Sequence, residues 1–525
     1  MLQKLPISQS VFSKLRTANY LYIDKTSYVY QMLTSGGQYY FLARPRRFGK
    51  SLLVSTLHEA LVGNKALFTG LALGNSDYDW QPHGVIKLDL SMLGIEDGAS
   101  LKVGICTVLS NIIDQYELKI TLNLSNPSLA LQQVVQALHT KFGRVAILID
   151  EYDSPILHTM DHLQQATEIR DGLQSVFRTI KGLSELVDFV FITGVTSFSK
   201  AGLFSGLNNL KILTLNSAYA TICGYTDTEI DHYFTPYLDL WAQKTNIPAA
   251  ILRTQLKDWY NGYRFSDTLA TVYNPFSITN AIAENQFQNF WIQSGTPTFL
   301  INELKKKYRT SEYRLLNPEK FTFTNSALGA FDIGMVSLPA LMFQTGYLTI
   351  SSYNPQRNLY HLSYPNHEVG AAAQNYLLAI FTSIDATEIE NTAAQLWESW
   401  NNSDIDEAMA ILRTLFAKIP YPLHVKLESF YHSLFQMICT VANIKTQSEY
   451  ATSHGSIDVI MDLPKVLYVV EIKFNESAQI ALQQILDKRY YEPFTDQNKP
   501  IILLGLNFAK TAGNFELTHD HQSLN

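Results

Sequence analysis

The 525-residue sequence predicts an α/β protein in three parts: a parallel sheet covered by helices, a mainly helical middle region, and a smaller C-terminal α/β domain. Three observations predict it. Apolar strand-like runs alternate with helical apolar spacing up to about residue 225, the pattern of a parallel sheet with helices on both faces. The pattern then turns mainly helical. At about residue 445 it changes again, to β-rich runs with one further helix. Length alone calls for two or three domains, with expected boundaries 1–225, 226–425 and 426–525.

Residues 1–37 read as a lead-in with short helices, among them Tyr28 to Leu33. Tyr39, Tyr40, Phe41 and Leu42 form an apolar run that predicts a buried strand. Val85 to Leu90 reads as a second strand. Helical spacing over 98–117 and 127–141 follows, the second starting at Asn126-Pro127. Val145 to Asp150 is a short apolar strand that ends in acids. A helix over about 166–182 leads to another buried strand, Asp188 to Val195, with Lys211 to Leu215 as the next strand candidate. Asn261-Gly262 and Asn274-Pro275 mark turns in the middle region, and 368–442 reads as almost wholly helical. Ser456 to Asp462 and Val466 to Phe474 are β-rich runs around Leu463-Pro464-Lys465. A helix over about 476–490 and a strand from Pro500 to Gly505 complete the chain.

Composition is that of a globular protein, 46% hydrophobic and 17% charged. Cys106, Cys223 and Cys439 lie far apart without metal-ligand spacing, which argues against a disulfide framework or a structural zinc site and fits a reducing compartment. No secretory signal or transmembrane-length apolar run is present, so a cytoplasmic protein with no membrane partner is expected. Net charge is −7, which gives no global basic field for nucleic acid. Residues 1–50, however, carry eight Lys/Arg and one acid, Asp24. Arg44, Arg46, Arg47 and Lys50 crowd together there. A polyphosphate ligand or a nucleic-acid backbone would account for that crowding.

The strand at 39–42 runs into Arg44, Arg46, Arg47, Phe48, Gly49, Lys50 and Ser51, and then into a helix. Strand, turn, Gly-Lys-Ser, helix is the layout of a phosphate-binding loop. Backbone N–H groups and the helix N-terminus hold phosphate oxygens, Lys50 reaches the terminal phosphates, and Ser51 coordinates Mg²⁺. Arg44 stands where the usual pattern has its first Gly. About 100 residues on, Asp150 and Glu151 end an apolar strand at the carboxyl edge of the sheet, where ligands bind in such folds. Asp150 would hold Mg²⁺ and Glu151 would polarise the attacking water. Thr193, or Ser197 just after it, is placed to sense the γ-phosphate. Either hydroxyl could equally serve local backbone groups. Arg264 reads as a turn-flanking arginine before it reads as a sensor.

Taken together, LYIDKT (21–26), RPRRFGKS (44–51), LIDEYDSPI (148–156), ITGVTSFSKAGLFSGLNNL (192–210), YATICGYT (219–226), NGYRF (261–265), VYNPFS (272–277), SGTPTFLI (294–301), QTGYL (344–348) and YPNHEV (364–369) resemble one family. It is the bacterial and archaeal AAA-ATPase-like proteins that carry a C-terminal PD-(D/E)XK nuclease-type domain. The resemblance implies a P-loop NTPase domain that binds ATP and a restriction-endonuclease-like α/β domain, on either side of the mainly helical middle region. It also implies that Arg in place of the first loop Gly is a family trait.

The C-terminal domain carries a second constellation: Glu449, Asp458, Glu471 and Lys473. VLYVVEIKF (466–474) is apolar enough to be buried on both faces, where Glu471 and Lys473 are costly unless paired or bound to metal. Being two apart, they share a face. A four-residue loop, Leu463 to Val466, with Pro464 second in a type I turn, pairs Asp462 with Leu467 and sets Asp458 opposite Glu471. A loop one residue shorter puts the two acids on opposite faces. Converging carboxylates can hold Mg²⁺, and Lys473 can orient or deprotonate water. Glu449 is expected on a preceding helix, completing the metal shell, and Gln484 on the following helix, at the site or the substrate. The family usually has Arg after Gly455, where this chain has Ser456, so a substrate-phosphate contact that the resemblance implies has no arginine to make it. The expectation is therefore an ATP-binding, ATP-hydrolysing protein with a Mg²⁺-dependent nuclease-type domain acting on nucleic acid. The alternative is a regulatory ATP switch whose C-terminal domain binds without cutting.

Overall fold

The computed structural model describes residues 2–198, 203–204, 206–207, 209–293, 322–324, 327–328, 337–382, 384–419, 428–496, 499–511 and 514–524. SGTPTFLI (294–301) lies outside them, as does part of 192–210. The described residues form two compact units, the first ending at Glu368 and the second beginning at Val369. This break falls inside the expected middle region. Among the described residues no helix is long and apolar enough to cross a membrane.

The first unit is built on a parallel sheet of β1 (Tyr39–Ala43), β2 (Gly84–Asp89), β3 (Val145–Asp150), β4 (Phe189–Gly194) and β5 (Lys211–Ile212), in the order β2-β3-β4-β1-β5. Strands β1, β3 and β4 are buried at every position. The Val, Leu, Ile and Phe side chains among them contribute about 1.5–3 kcal/mol each relative to exposure. The order matters for the site, because β4 lies between β1, which carries the Gly-Lys-Ser loop, and β3, which carries the acids. Leu42 pairs with Thr193 in that arrangement. Covering helices form where apolar spacing and caps predict them. Helix Pro127–Phe142 starts at Asn126, whose side chain accepts from the Ser128 and Leu129 N–H groups.

Beyond residue 225 the unit continues with helices Asp227–Thr245, Ala249–Tyr260 and Pro275–Glu284. The first has a reciprocal cap between Thr226 and Glu229. Their apolar faces close on Leu21 and Ile23 of the lead-in. The middle region also holds a sheet that the helical expectation missed: β6 (Thr322–Phe323), β7 (Thr349–Asn354) and β8 (Leu359–Ser363), in the order β6-β8-β7. These strands are short and carry Ser, Thr, Asn and His, so alternation is weak and only cross-strand pairing defines them.

Glu368 is fully buried at the end of this unit. Its Oε1 accepts the Trp291 N–H at 2.7 Å. Burial pushes its carboxyl up to about 8, partly offset by the Trp291 N–H and the Ser277 hydroxyl, while the phenols of Tyr260 and Tyr263 are the acidic groups that feel its charge. A carboxyl whose pKa rises on folding holds its proton more tightly when folded. Its stability contribution is complete below the unfolded value near 4.5 and is lost as pH rises through about 8. Glu368→Gln is therefore expected to melt like the parent at pH 4–5 and above it at pH 8–9. Melting curves that shift in parallel at all pH values would refute the assignment.

The second unit opens with helices, including Ala386–Asn401, Ile405–Ala417 and Glu428–Val441, and ends in a five-stranded sheet. Its strands are β9 (Lys445–Thr452), β10 (Gly455–Asp462), β11 (Leu467–Phe474), β12 (Ile501–Thr511) and β13 (Asn514–Leu524), in the order β13-β12-β11-β10-β9. Only β11 and β12 run parallel, joined by helix Ala478–Asp487, which Ser477 caps. The last strand runs past Gly505 to Thr511, and β9 and β13 add edges that the sequence reading left out. In β9, KTQSEYAT alternates exposed and half-buried positions. That is the period of a one-sided strand.

Candidate functional sites

In the first unit, the chain turns after β1 and enters helix Lys50–Leu61 through Gly49, which sits in the left-handed region at φ 88°. Glycine takes that conformation without the Cβ penalty. Lys50 is buried, with its Nζ 3.1 Å from the Pro45 carbonyl and 3.3 Å from Glu151 Oε1. Glu151 itself holds φ 49° at the end of β3, a conformation that costs energy and concentrates at functional sites. Asp150 is buried beside it. Burial, and then the Glu151 charge, push the Asp150 carboxyl up to about 6, against hydrogen bonding to Ser51 and the charge of Lys50.

Asp89, missed by the sequence reading, pairs with Asp150 across β2 and β3 and adds negative charge. An apolar strand ending in an acid was its signal, the same one that marked Asp150. Asp150 hydrogen-bonds to Ser51 and feels the Lys50 charge, and Glu151 pairs with Lys50, with Asp89 adding charge beside Asp150. A carboxylate beside a hydroxyl suits Mg²⁺, which completes its shell with water and phosphate. A cleft of about 510 Å³ opens over this cluster, within the size range of small-molecule sites. Arg46, Arg47, Phe48, Gly49, Lys50 and Ser51 line it, as do Tyr22, Ile23, Tyr225 and Phe276. The Arg47 guanidinium lies 4.7 Å from the Phe276 ring centre.

Arg44 and Thr193, both expected at the site, are placed elsewhere. Arg44 does not line the cleft. Its guanidinium donates to the carbonyls of Ala43, Thr214 and Tyr219 and stacks 4.2 Å over Phe265. With burial lowering it to about 10, it is a buried tie between β1 and the segment after β5. The Phe48 ring is buried against Tyr263 and Phe265, so its contribution to the cleft comes from the backbone side. The Thr193 hydroxyl donates to the Leu42 carbonyl at 2.7 Å and is buried between strands. Ser197 offers its N–H to Gln344 Oε1. Arg264 is engaged with the carbonyls of Ser266, Ser351 and Asp267. Asp153, two residues after Glu151, accepts from the N–H groups of Val195 and Thr196 and so fixes the end of β4.

In the second unit, the hairpin has the expected register. Asp462 pairs with Leu467, and the Leu463 N–H closes on the Val466 carbonyl at 3.0 Å. Extending the pairing sets Asp458 opposite Glu471 on the same face. Asp458 Oδ2 accepts the Ile472 N–H at 2.8 Å, and its carbonyl meets His432 Nε2 at 2.9 Å. Glu471 Oε1 accepts from Lys473 Nζ at 3.0 Å and from Gln484 Nε2. Its Oε2 is buried without a partner among the described residues. Burial and the Asp458 charge push Glu471 up to about 7, against the pull of Lys473.

Glu449 is not on the helix where the sequence predicts it. It lies on β9, exposed and at φ 51°. The preceding helix, Glu428–Val441, supplies Glu428 instead, whose charge acts on both Glu471 and Lys473. Among the described residues no three His, Cys, Asp or Glu side chains group to hold a metal. Two carboxylates and an orphaned buried oxygen still fit Mg²⁺, which commonly takes one or two carboxylates and completes its shell with water and phosphate.

Residues 6–204 match the family described as predicted AAA-ATPase, and residues 426–516 match the PD-(D/E)XK nuclease superfamily. Over 522 residues the chain is 35% identical to an uncharacterized protein in the vnfD 5′ region of Azotobacter chroococcum mcd 1, with 97% of each chain covered. Among solved structures, the Aeropyrum pernix ORC1 protein in complex with DNA is similar at 12% identity and a TM-score of 0.26, over 66% of this chain and 90% of that one. A likeness of that degree bears on neither fold nor function.

Proposed function

Because the chain belongs to the predicted AAA-ATPase family that ends in a PD-(D/E)XK nuclease-superfamily domain, we propose that it binds and hydrolyses ATP and cleaves nucleic acid. The carrying observation is the buried Lys50, held between a loop carbonyl and Glu151 at the floor of the cleft. A terminal phosphate would take the Lys50 charge from Glu151 and free that carboxylate to accept a proton from water. Ser51 and Asp150 would hold Mg²⁺, which neutralises charge on the phosphates. Loop N–H groups from Arg46 to Ser51 would bind and orient them.

Glu151→Gln tests the assignment. It keeps the shape of the side chain and the Asp150–Ser51 pair but removes the acceptor of the proton. ATP binding should persist while turnover falls about 100-fold or more. Parental turnover in the variant excludes Glu151 as the base.

In the second unit, Asp458 and Glu471 would hold Mg²⁺, supplying a Lewis acid for phosphodiester hydrolysis. Lys473, 3.0 Å from Glu471, would orient the attacking water, and Gln484 would keep Glu471 in its rotamer. The reading without cleavage draws on Ser456, which is exposed on β10 in place of a phosphate-binding arginine. Mg²⁺-dependent assays on single- and double-stranded DNA and on RNA, with and without ATP, separate the two.

A further inference from the structure

The loop that carries Lys50 is backed by residues from the end of the first unit. The indole Nε1 of Trp291 donates to the Arg46 carbonyl at 3.2 Å. The Trp291 backbone N–H is held by Glu368 at 2.7 Å, and its ring packs on Tyr347 with centroids 5.0 Å apart. Gly346, at φ 93°, lets the end of helix Leu338–Thr345 approach the loop. A Cβ there would lie 2.7 Å from the Pro45 Cβ. Residues of QTGYL and YPNHEV, to which no chemistry was assigned, thus meet behind the loop.

We infer that Trp291 is a positioning residue for the phosphate-binding loop, with Glu368 holding it in place; this rests on the nucleotide reading above. The reason is peptide geometry. In a trans peptide the C=O of one residue and the N–H of the next point in opposite directions. Pinning the Arg46 carbonyl to Trp291 turns the Arg47 N–H away from Trp291, and both Arg46 and Arg47 line the cleft. Converging loop N–H groups are what a phosphate binds. Lys50 holds the neighbouring Pro45 carbonyl, so two successive peptides of the loop are set by side chains. Glu368 is also the second residue of helix His367–Thr382.

Trp291→Phe keeps an aromatic ring against Tyr347 and removes the indole N–H together with the five-membered ring that carries it. The expected result is about 3- to 10-fold weaker binding of ATP, and equally of tripolyphosphate, because the loss lies at the phosphate end. Peptides covering residues 42–57 should exchange amide hydrogens faster in the nucleotide-free variant. Glu368→Ala should behave in the same way, whereas Glu368→Gln, which keeps the acceptor for the Trp291 N–H, should match the parent. Parental affinity and parental exchange in both Trp291→Phe and Glu368→Ala overturn the inference. If the parent binds neither ATP nor tripolyphosphate, the nucleotide reading fails. Exchange then decides alone: faster in Trp291→Phe supports the pinning, and unchanged overturns it.

Discussion

Lys50→Ala is expected to weaken ATP binding about 10- to 100-fold, since a hydrogen bond to a charged group contributes about 1.5–3 kcal/mol. The lysine is buried and already faces the acid cluster. Its removal takes the positive charge from the floor of the cleft and leaves Asp89, Asp150 and Glu151 to repel the phosphates. The loss should appear in Kd by calorimetry. Equal affinity in variant and parent would remove the loop from the nucleotide site and leave the cleft without an assigned ligand.

The second large effect belongs to the C-terminal hairpin. Asp458→Ala or Glu471→Ala should lower Mg²⁺-dependent cleavage by about three orders of magnitude, because groups that act as a unit fail together. ATP binding should be untouched in both. Asp458 also accepts the Ile472 N–H, so alanine leaves a backbone donor unpaired at a cost of about 1–3 kcal/mol. Asp458→Asn separates the two roles, since it retains an acceptor for that N–H and drops the charge. Asparagine should fold like the parent and still not cleave. Cleavage by Asp458→Asn at the parental rate would place the metal elsewhere. A parent that cuts neither DNA nor RNA would favour the binding-only reading, with Ser456 the first residue to change.

Much of both sites was legible because their signals are local. Gly49-Lys50-Ser51 after a buried strand specifies a loop entering a helix, and β3 ends in its acids within a single run of nine residues, VAILIDEYD. The hairpin was legible for a different reason. Side chains alternate with period two, so the length of one short loop decides whether Asp458 and Glu471 share a face. The observed pairing of Asp462 with Leu467 is the one that a four-residue loop requires.

The remaining differences came from partners distant in sequence. Arg44 looks like a phosphate ligand in RPRRFGKS, yet its donors meet carbonyls at Thr214 and Tyr219, some 170 residues away. The Thr193 hydroxyl is taken by Leu42 because β4 lies beside β1, an order that no local pattern states. Glu449 was expected on a helix, but β9 is a strand because β10 is there to pair with it, and Glu428 carries the charge from the helix instead. The break between units at Glu368 and Val369 is likewise a matter of which elements pack together.

By itself the sequence determined the chemistry available: one lysine in a glycine-led loop, two acids at a strand end, and two acids and a lysine in one hairpin. Tertiary structure alone decided which polar groups remain for a ligand. A buried donor or acceptor must find a partner, and that partner is chosen by strand order and packing. Arg44 and Thr193 are satisfied inside the protein. Lys50 and Glu151 meet at the cleft, and Glu471 Oε2 stays without a partner among the described residues.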